Sequence, residues 1–371
     1  MRKNRWDDWL TKVGILRIDR YIIGQFLGTF LFTIALIMAI IVAIDIQEKL
    51  DIIMDPMVSR AVIIRYYIAL IPYFSVLLTP LFIFLSVVFF TSKLAARSEI
   101  IAMQAAGMSF NRLLYPYMIS AGIVALVSFV FSSEIIPKLN VHRVSFEDTY
   151  VSPDRKVVTD RNLQVMIGPG EVAFFSTFET DNNVGYNFSL EKYEDNKLVS
   201  RMTGQTITYD SLFHWTAHNY QIRNFEGLVE EVHSGDQLDT TLLITPNDIV
   251  VAWQGGDQMT TSELHDYVQK QKKRGVGNIQ AFQVEFHRRF ASIPAAFILT
   301  LIGVALSARK AKGGTGVNIA IGLVLSFSYI LLFMISTSYA VSGALSPLMA
   351  AWLPNLIFLP IAFLCYLKAP R

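Results

Sequence analysis

From Gly313 to Leu367 the chain carries no charged residue. Such a stretch suits hydrocarbon rather than water, and it is too long for one bilayer crossing, which needs about 20 apolar residues as a helix. The Ser342–Pro347 segment, SGALSP, divides it into two helices near 317–340 and 348–367. Four more apolar runs come earlier, at 21–44, 66–92, 113–133 and 290–308. The first would be about 36 Å long as a helix. The second contains Pro72 and Pro80, which kink a helix and are tolerated in a bilayer where neighbours satisfy the freed carbonyls. The expected fold is therefore a membrane α-helical protein with six transmembrane helices.

The composition agrees: 53% of residues are hydrophobic and only 17% charged, which is a membrane balance. A formal net charge of +2 gives no reason to expect nucleic acid as a partner. The first 20 residues carry Arg2, Lys3, Arg5, Lys12, Arg17 and Arg20 ahead of the first run. That run ends at Asp45, Glu48 and Asp51 rather than at a small-x-small cleavage site, so it reads as a retained span and not as a leader. The N-terminal segment, the 93–112 loop, the 309–312 connector and the tail with Lys368 and Arg371 are net basic. Both termini then lie in the cytoplasm, and residues 138–280, between the third and fourth spans, lie outside.

Those residues read as a separate β-domain. Segments 163–167, 172–178, 186–193, 198–209, 213–225 and 238–244 alternate apolar and polar residues or are rich in β-branched and aromatic ones. Turn signals separate them at Gly168-Pro169-Gly170, Asp181-Asn182-Asn183, Glu194-Asp195-Asn196 and Ser234-Gly235-Asp236. Short strands at this spacing suggest a β-sandwich or jelly roll, inserted between residues 1–137 and 281–371. A capping box at Thr260–Glu263 opens one helix near 261–274, closed by Gly275.

Chemistry-bearing motifs are scarce. The span interiors hold no ionisable residue, which argues against ion-coupled pumping. Gly313-Gly314-Thr315-Gly316 lacks the lysine of a phosphate-binding loop and reads as a flexible turn. No H-E-x-x-H or G-x-S-x-G occurs, and Cys365 is the lone cysteine. His214 and His218 share a face if 213–225 is a strand, but a solvated strand face is the simpler reading than a metal pair. Lys270, Lys272, Lys273 and Arg274 similarly suit a solvated helix face. The expectation is a protein without catalytic or metal-binding residues.

One segment stands apart: Lys93–Arg112, KLAARSEIIAMQAAGMSFNR, a polar island between two apolar runs. Ser98 reads as an N-cap, Glu99 puts a negative charge on the first turn and Gly107 suits a stop, giving a short helix within 98–108. Apart from Glu99 and Gln104 its side chains are apolar, so something must cover it. The residues alone leave two readings: a helix lying in the lipid headgroups, or a knob gripped by a cytosolic partner that moves the adjoining helices.

The string SEIIAMQAAGMS strongly resembles the segment between the second and third spans of the lipopolysaccharide export permeases, the LptF/LptG family. Asp19-Arg20-Tyr21, Glu285-Phe286-His287-Arg288-Arg289 and Trp352-Leu353-Pro354-Asn355 add further similarity, and the coupling segment looks closer to the LptG branch. The resemblance implies a permease subunit of an ATP-binding-cassette exporter in the inner membrane of a Gram-negative bacterium. It would extract lipopolysaccharide and pass it to a periplasmic jelly-roll bridge of the LptC/LptA kind. ATP and Mg would sit on a cytosolic ATPase dimer and no cofactor on this chain. A second homologous permease, LptF-like or a second copy, would complete the cavity. By the same resemblance Ser98, Glu99, Ile100, Ile101, Met103, Gln104, Ala106, Gly107 and Met108 would fill the ATPase groove. Phe26, Phe30, Ile34 and Ile37 of the first helix, with Phe327, Ile330, Leu331 and Met334 of the fifth, would line the lipid cavity. The family's lysines near the outer end of helix one are reduced here to Lys49, with Arg60 and Arg65 beyond it. An envelope scaffold, whose β-domain binds a periplasmic partner, is the alternative from another class.

Overall fold

The computed structural model describes residues 16–151, 163–168, 170–179, 182–194, 197–211, 213–226, 229–246, 256–273, 279–308 and 315–369. The basic segment before Leu16, Arg274, Gly275, the Arg309–Lys312 connector, Gly313-Gly314 and Arg371 lie outside them. So do Pro169, Asp181, Asp195 and Asn196 of the expected turns. The chain divides into two compact units, one of residues 1–50, 67–136 and 284–371, the other of residues 51–66 and 137–283.

The first unit is helical. In chain order the helices are α1 (Arg17–Glu48), the short α2 (Leu50–Ile53), α3 (Arg60–Leu77), α4 (Thr79–Ala96), α5 (Glu99–Ala105) and α6 (Phe110–Val130), with residues 51–66 belonging to the second unit. Between α6 and the last three helices lie α7 (Ile136–Phe146), the β-strands and α8 (Thr261–Lys273); then come α9 (Gln280–Ser307), α10 (Thr315–Val341) and α11 (Pro347–Leu367). Among the described residues seven helices are long and apolar enough to cross a membrane, one more than the sequence suggests. The difference lies in the second run, which is two helices, α3 and α4, rather than one over 66–92. Leu78 between them leaves helical geometry only slightly, at φ −95° and ψ 10°. Its N–H still donates to Phe74 O at 2.9 Å, and its carbonyl accepts from Phe82 N at 3.1 Å. Pro80 stands in the first turn of α4, where a missing N–H costs no intrahelical bond.

The third run also behaves differently from its expected end at Ser133. The helix passes through a π turn at Phe131–Ile135 into α7 (Ile136–Phe146) and a second π turn at Glu147–Val151. Pro137 explains the first π turn: proline removes a donor and clashes with the preceding turn, and widening the helix there accommodates it. The core of this unit is built on α4, where Phe82, Phe84, Val87 and Val88 are fully buried, together with Leu299, Ile302 and Val304 of α9.

The second unit carries the inserted β-domain. Strands β1 (Leu163–Gly168), β2 (Glu171–Glu179), β3 (Val184–Glu194), β4 (Lys197–Ser211), β5 (His214–Glu226) and β6 (Val229–Thr241) form one antiparallel sheet in sequence order. Phe175, Phe178, Phe188 and Trp215 are buried together, and Trp215 Nε1 donates to Ile244 O at 3.0 Å. The last strand is β6 rather than the expected 238–244, and Ser234-Gly235-Asp236 lies within it instead of forming a turn. Gly235 pairs with Tyr220, and a Cβ there would stand 2.8 Å from the Tyr220 ring. The glycine makes room for an aromatic neighbour. Helix α8 (Thr261–Lys273) starts with the capping box read from the sequence. Thr260 N donates to Glu263 Oε2 at 2.9 Å and Glu263 N to Thr260 Oγ1 at 3.4 Å.

Candidate functional site: the coupling segment

The short helix α5 is held at both ends by its own backbone. At its start Ser98 takes the left-handed conformation, φ 60°, and makes no side-chain cap, so the expected serine N-cap is corrected to a tight backbone turn. Ser98 N donates to Ala95 O and its carbonyl accepts from Ala102 N. The hydroxyl that does cap is Ser109, which accepts from Arg112 N and opens α6. At the end of α5, Gly107 has φ 89°. Its N–H reaches Gln104 O at 2.9 Å while Met108 N reaches Met103 O at 3.1 Å, the paired bonds of a Schellman stop.

The faces of α5 are unequal. Ile100 is fully buried in the helical core, with Met103 and Met108 partly buried against it. Burying one such side chain contributes about 1.5–3 kcal/mol, enough to seat the helix. Ile101, 55% exposed, faces outward with Ala102, Ala105, Ala106 and Gly107. Glu99 has a 32% exposed side chain; Tyr21 Oη donates to it at 3.5 Å and Arg97 Nη1 lies 3.9 Å away. Gln104 is half-buried. The candidate residues thus separate into an anchor, Ile100 with the two methionines, and a presented surface of one carboxylate and small apolar groups.

The flanking helices are cross-linked around this segment. Asp19, 1% exposed, accepts from Arg112 Nη1 at 2.7 Å and Nη2 at 2.5 Å, and from Leu16 N at 2.7 Å. The pair ties the start of α1 to the start of α6. Tyr366 Oη donates to Asn111 Oδ1 at 2.7 Å, joining α11 to the same turn of α6. On α4, Thr91 Oγ1 donates to Tyr117 Oη at 3.0 Å and Ser92 Oγ accepts from Asn318 Nδ2 at 3.1 Å. Of these partners only Asp19 stands out in the sequence, as part of the Asp19-Arg20-Tyr21 similarity and without a pairing. The available signal is that Asp19, Arg112 and Asn318 are isolated polar residues at the edges of apolar runs, where a polar group needs a partner.

The residues proposed to line a lipid cavity do not share one environment. Phe26 and Phe30 are buried within the unit's own core, and Ile34 and Ile37 are half-buried against it. That stripe of α1 is an inward face within this chain. The exposed face of α1 carries Leu31, Phe32, Leu36 and Ile40 instead. On α10, Phe327, Leu331 and Met334 are exposed and Ile330 is half-buried. Lys49 is ion-paired with Asp45, its side chain only 11% exposed, whereas Arg60 and Arg65 are exposed. Among the described residues no group of three or more His, Cys, Asp or Glu converges on a point.

No curated protein matches the chain. The sequence profile of the family described as lipopolysaccharide export system permease LptF/LptG matches residues 20–368. With an apolar helix bundle, an inserted antiparallel β-domain and a match running through both halves, the chain belongs to the LptF/LptG lipopolysaccharide export permease family.

Proposed function

We propose that the chain is one permease of an ATP-driven exporter that draws lipopolysaccharide out of the inner membrane and hands it to a periplasmic jelly-roll bridge. The observation that supports this best is α5: a helix anchored by Ile100 that presents Ile101, Ala102, Ala105 and Ala106 beside a half-exposed Glu99. Small apolar groups beside one carboxylate suit a groove in a protein partner, with a basic residue opposite Glu99. In this reading a cytosolic ATPase dimer grips α5. Closure of the dimer on ATP shifts α4 and α6 together, because their ends are bonded to α1, α10 and α11. Helices α1 and α10 face a second permease through their exposed apolar residues and enclose the acyl chains between them. The lipid then moves onto the apolar face of the β-domain, with the β-domain on the periplasmic side and both termini in the cytoplasm. Hydrolysis belongs to the partner, and this subunit contributes no catalytic group.

The lipid's phosphates are assigned to Arg60 and Arg65 rather than to Lys49, whose ammonium is already paired with Asp45. Arg60→Ala and Arg65→Ala should each reduce crosslinking of lipopolysaccharide several-fold, and Lys49→Ala should leave it near the native level. The reverse pattern would return the contact to Lys49. The export reading itself is tested by purifying the tagged chain from its membrane with and without Glu99→Arg. An ATPase should accompany the native chain and be lost or uncoupled in the variant. If no ATPase accompanies it, or if the ATPase ignores the substitution, α5 is an interfacial helix only.

A further inference from the structure

Within the helical unit a cavity of about 330 Å³ opens where the second span breaks. Its walls include Pro80 and Ile83 of α4, Ala295 and Leu299 of α9, and Ile330 and Met334 of α10. Along α9 it extends from Arg288 to Leu299, about 16 Å at a helical rise of ~1.5 Å per residue. The shape is a slot rather than a bowl, running from a charged edge into an apolar span. Met334 and Leu77, both exposed, stand at its mouth.

The chemistry of the lining is one-sided. Arg288 and Arg289 are its only charged residues, and they stand together at one end. Both are steadied by Glu285, which accepts from Arg288 Nε at 2.6 Å and Nη2 at 2.8 Å and from Arg289 Nε at 3.2 Å. Three hydroxyls in the wall are engaged by their own helices, Thr79 with Ser75 O at 2.9 Å, Ser132 with Phe129 O at 3.0 Å and Ser292 with Arg289 O at 2.7 Å, and Tyr329 Oη donates to Asn355 Oδ1 at 3.0 Å. Beyond the arginines the surface is apolar and offers water few of the 2–4 partners it needs. The volume falls at the lower end of the ~300–1,000 Å³ typical of ligand pockets. One hydrocarbon tail suits that slot, whereas a glycolipid bearing many tails does not.

We propose that this slot binds one acyl chain of an anionic phospholipid, the phosphate lying against Arg288, whose side chain is 25% exposed, with the fully buried Arg289 behind it, and the tail following α9 toward Leu299. Such a lipid would occupy the break between α3 and α4 and brace it. The slot shares Ile330 and Met334 with the α10 face given to the cargo, so competition by lipopolysaccharide separates this inference from the export reading.

The test uses the full chain in nanodiscs of phosphatidylcholine containing a trace of phosphatidylglycerol with a diazirine on one acyl chain. Photolabel is expected on peptides covering residues 79–83 and 292–299. Excess unlabelled phosphatidylglycerol should remove it and excess phosphatidylcholine should not. Ala295→Phe, which fills the slot, should lower labelling of these peptides at least fivefold. Arg288→Gln should raise several-fold the phosphatidylglycerol needed to compete. Label spread evenly over the exposed helix faces of the native chain overturns the site. Equal competition by phosphatidylcholine overturns the anionic headgroup. Equal competition by purified lipopolysaccharide reassigns the slot to the cargo and overturns the phospholipid. These three results come from the native chain, so they decide the matter even where Ala295→Phe fails to fold.

Discussion

Ile100 and Ile101 are chemically identical neighbours with opposite surroundings, one fully buried and the other 55% exposed. Truncating the buried residue should destabilise the helical unit: Ile100→Ala is expected to cost about 2–5 kcal/mol, seen as a lower melting temperature of the purified chain. Ile101→Asp should leave that temperature near the native value and instead weaken retention of the ATPase, which a pull-down measures. Gly107 is the other sensitive residue of the segment. A Cβ there meets nothing within 4 Å, but φ 89° is strained for an L-residue, so Gly107→Ala should cost about 1–2 kcal/mol through the backbone alone. Far from this segment, the Thr260 N–H and hydroxyl hold the Glu263 carboxyl below its usual range. A carboxylate with a lowered folded-state pKa contributes stability above its unfolded value and loses it as pH falls through the folded one. Hydrogen-exchange protection of α8, corrected for intrinsic rate, should therefore be intact at neutral pH and decline below the ordinary glutamate range. Thr260→Ala should lower it by about 1 kcal/mol at neutral pH.

At the scale of elements, Asp19 and Arg112 clamp α1 to α6 beside α5. Removing one partner leaves the other charge in a site built for a pair; Asp19→Asn should cost about 3 kcal/mol, the low end for buried pairs because Arg112 remains 30% exposed. A double-mutant cycle on melting separates the pair's own coupling from that cost. The elements that the sequence makes legible are those with a periodic or compositional signature. The apolar runs are visible because hydrocarbon excludes charge, and five of the six β-strands because their alternation is bounded by glycine, asparagine and proline. β6 escapes because Gly235 resembles a turn residue until Tyr220 is seen to occupy the space above it. Ser98 resembles an N-cap because serine often is one, while the left-handed turn at that position depends on how α4 ends. Phe26 and Phe30 form a helical stripe that fits a cavity or a core equally well. Only the packing of α4 beside them identifies the core. The pairing of Asp19 with Arg112 spans nearly a hundred positions of sequence and has no local signature.

The molecule as a whole is a multi-pass membrane protein with a helical unit and an inserted antiparallel sheet, in the family of lipopolysaccharide export permeases. In the proposed export cycle a partner grips α5, the bonded helix ends carry the shift, and the exposed apolar faces of α1 and α10 meet the lipid. Force applied at α5 should then be needed for lipid movement but not for assembly of the bundle. The most direct measurement is ATP-dependent release of lipopolysaccharide from proteoliposomes that hold the purified complex, assayed with a soluble acceptor jelly-roll protein outside. The native chain should release lipid only with ATP, and Glu99→Arg should abolish release while the chain still melts at the native temperature. Release that proceeds without ATP, or that Glu99→Arg leaves unchanged, would mean that α5 does not couple hydrolysis to extraction.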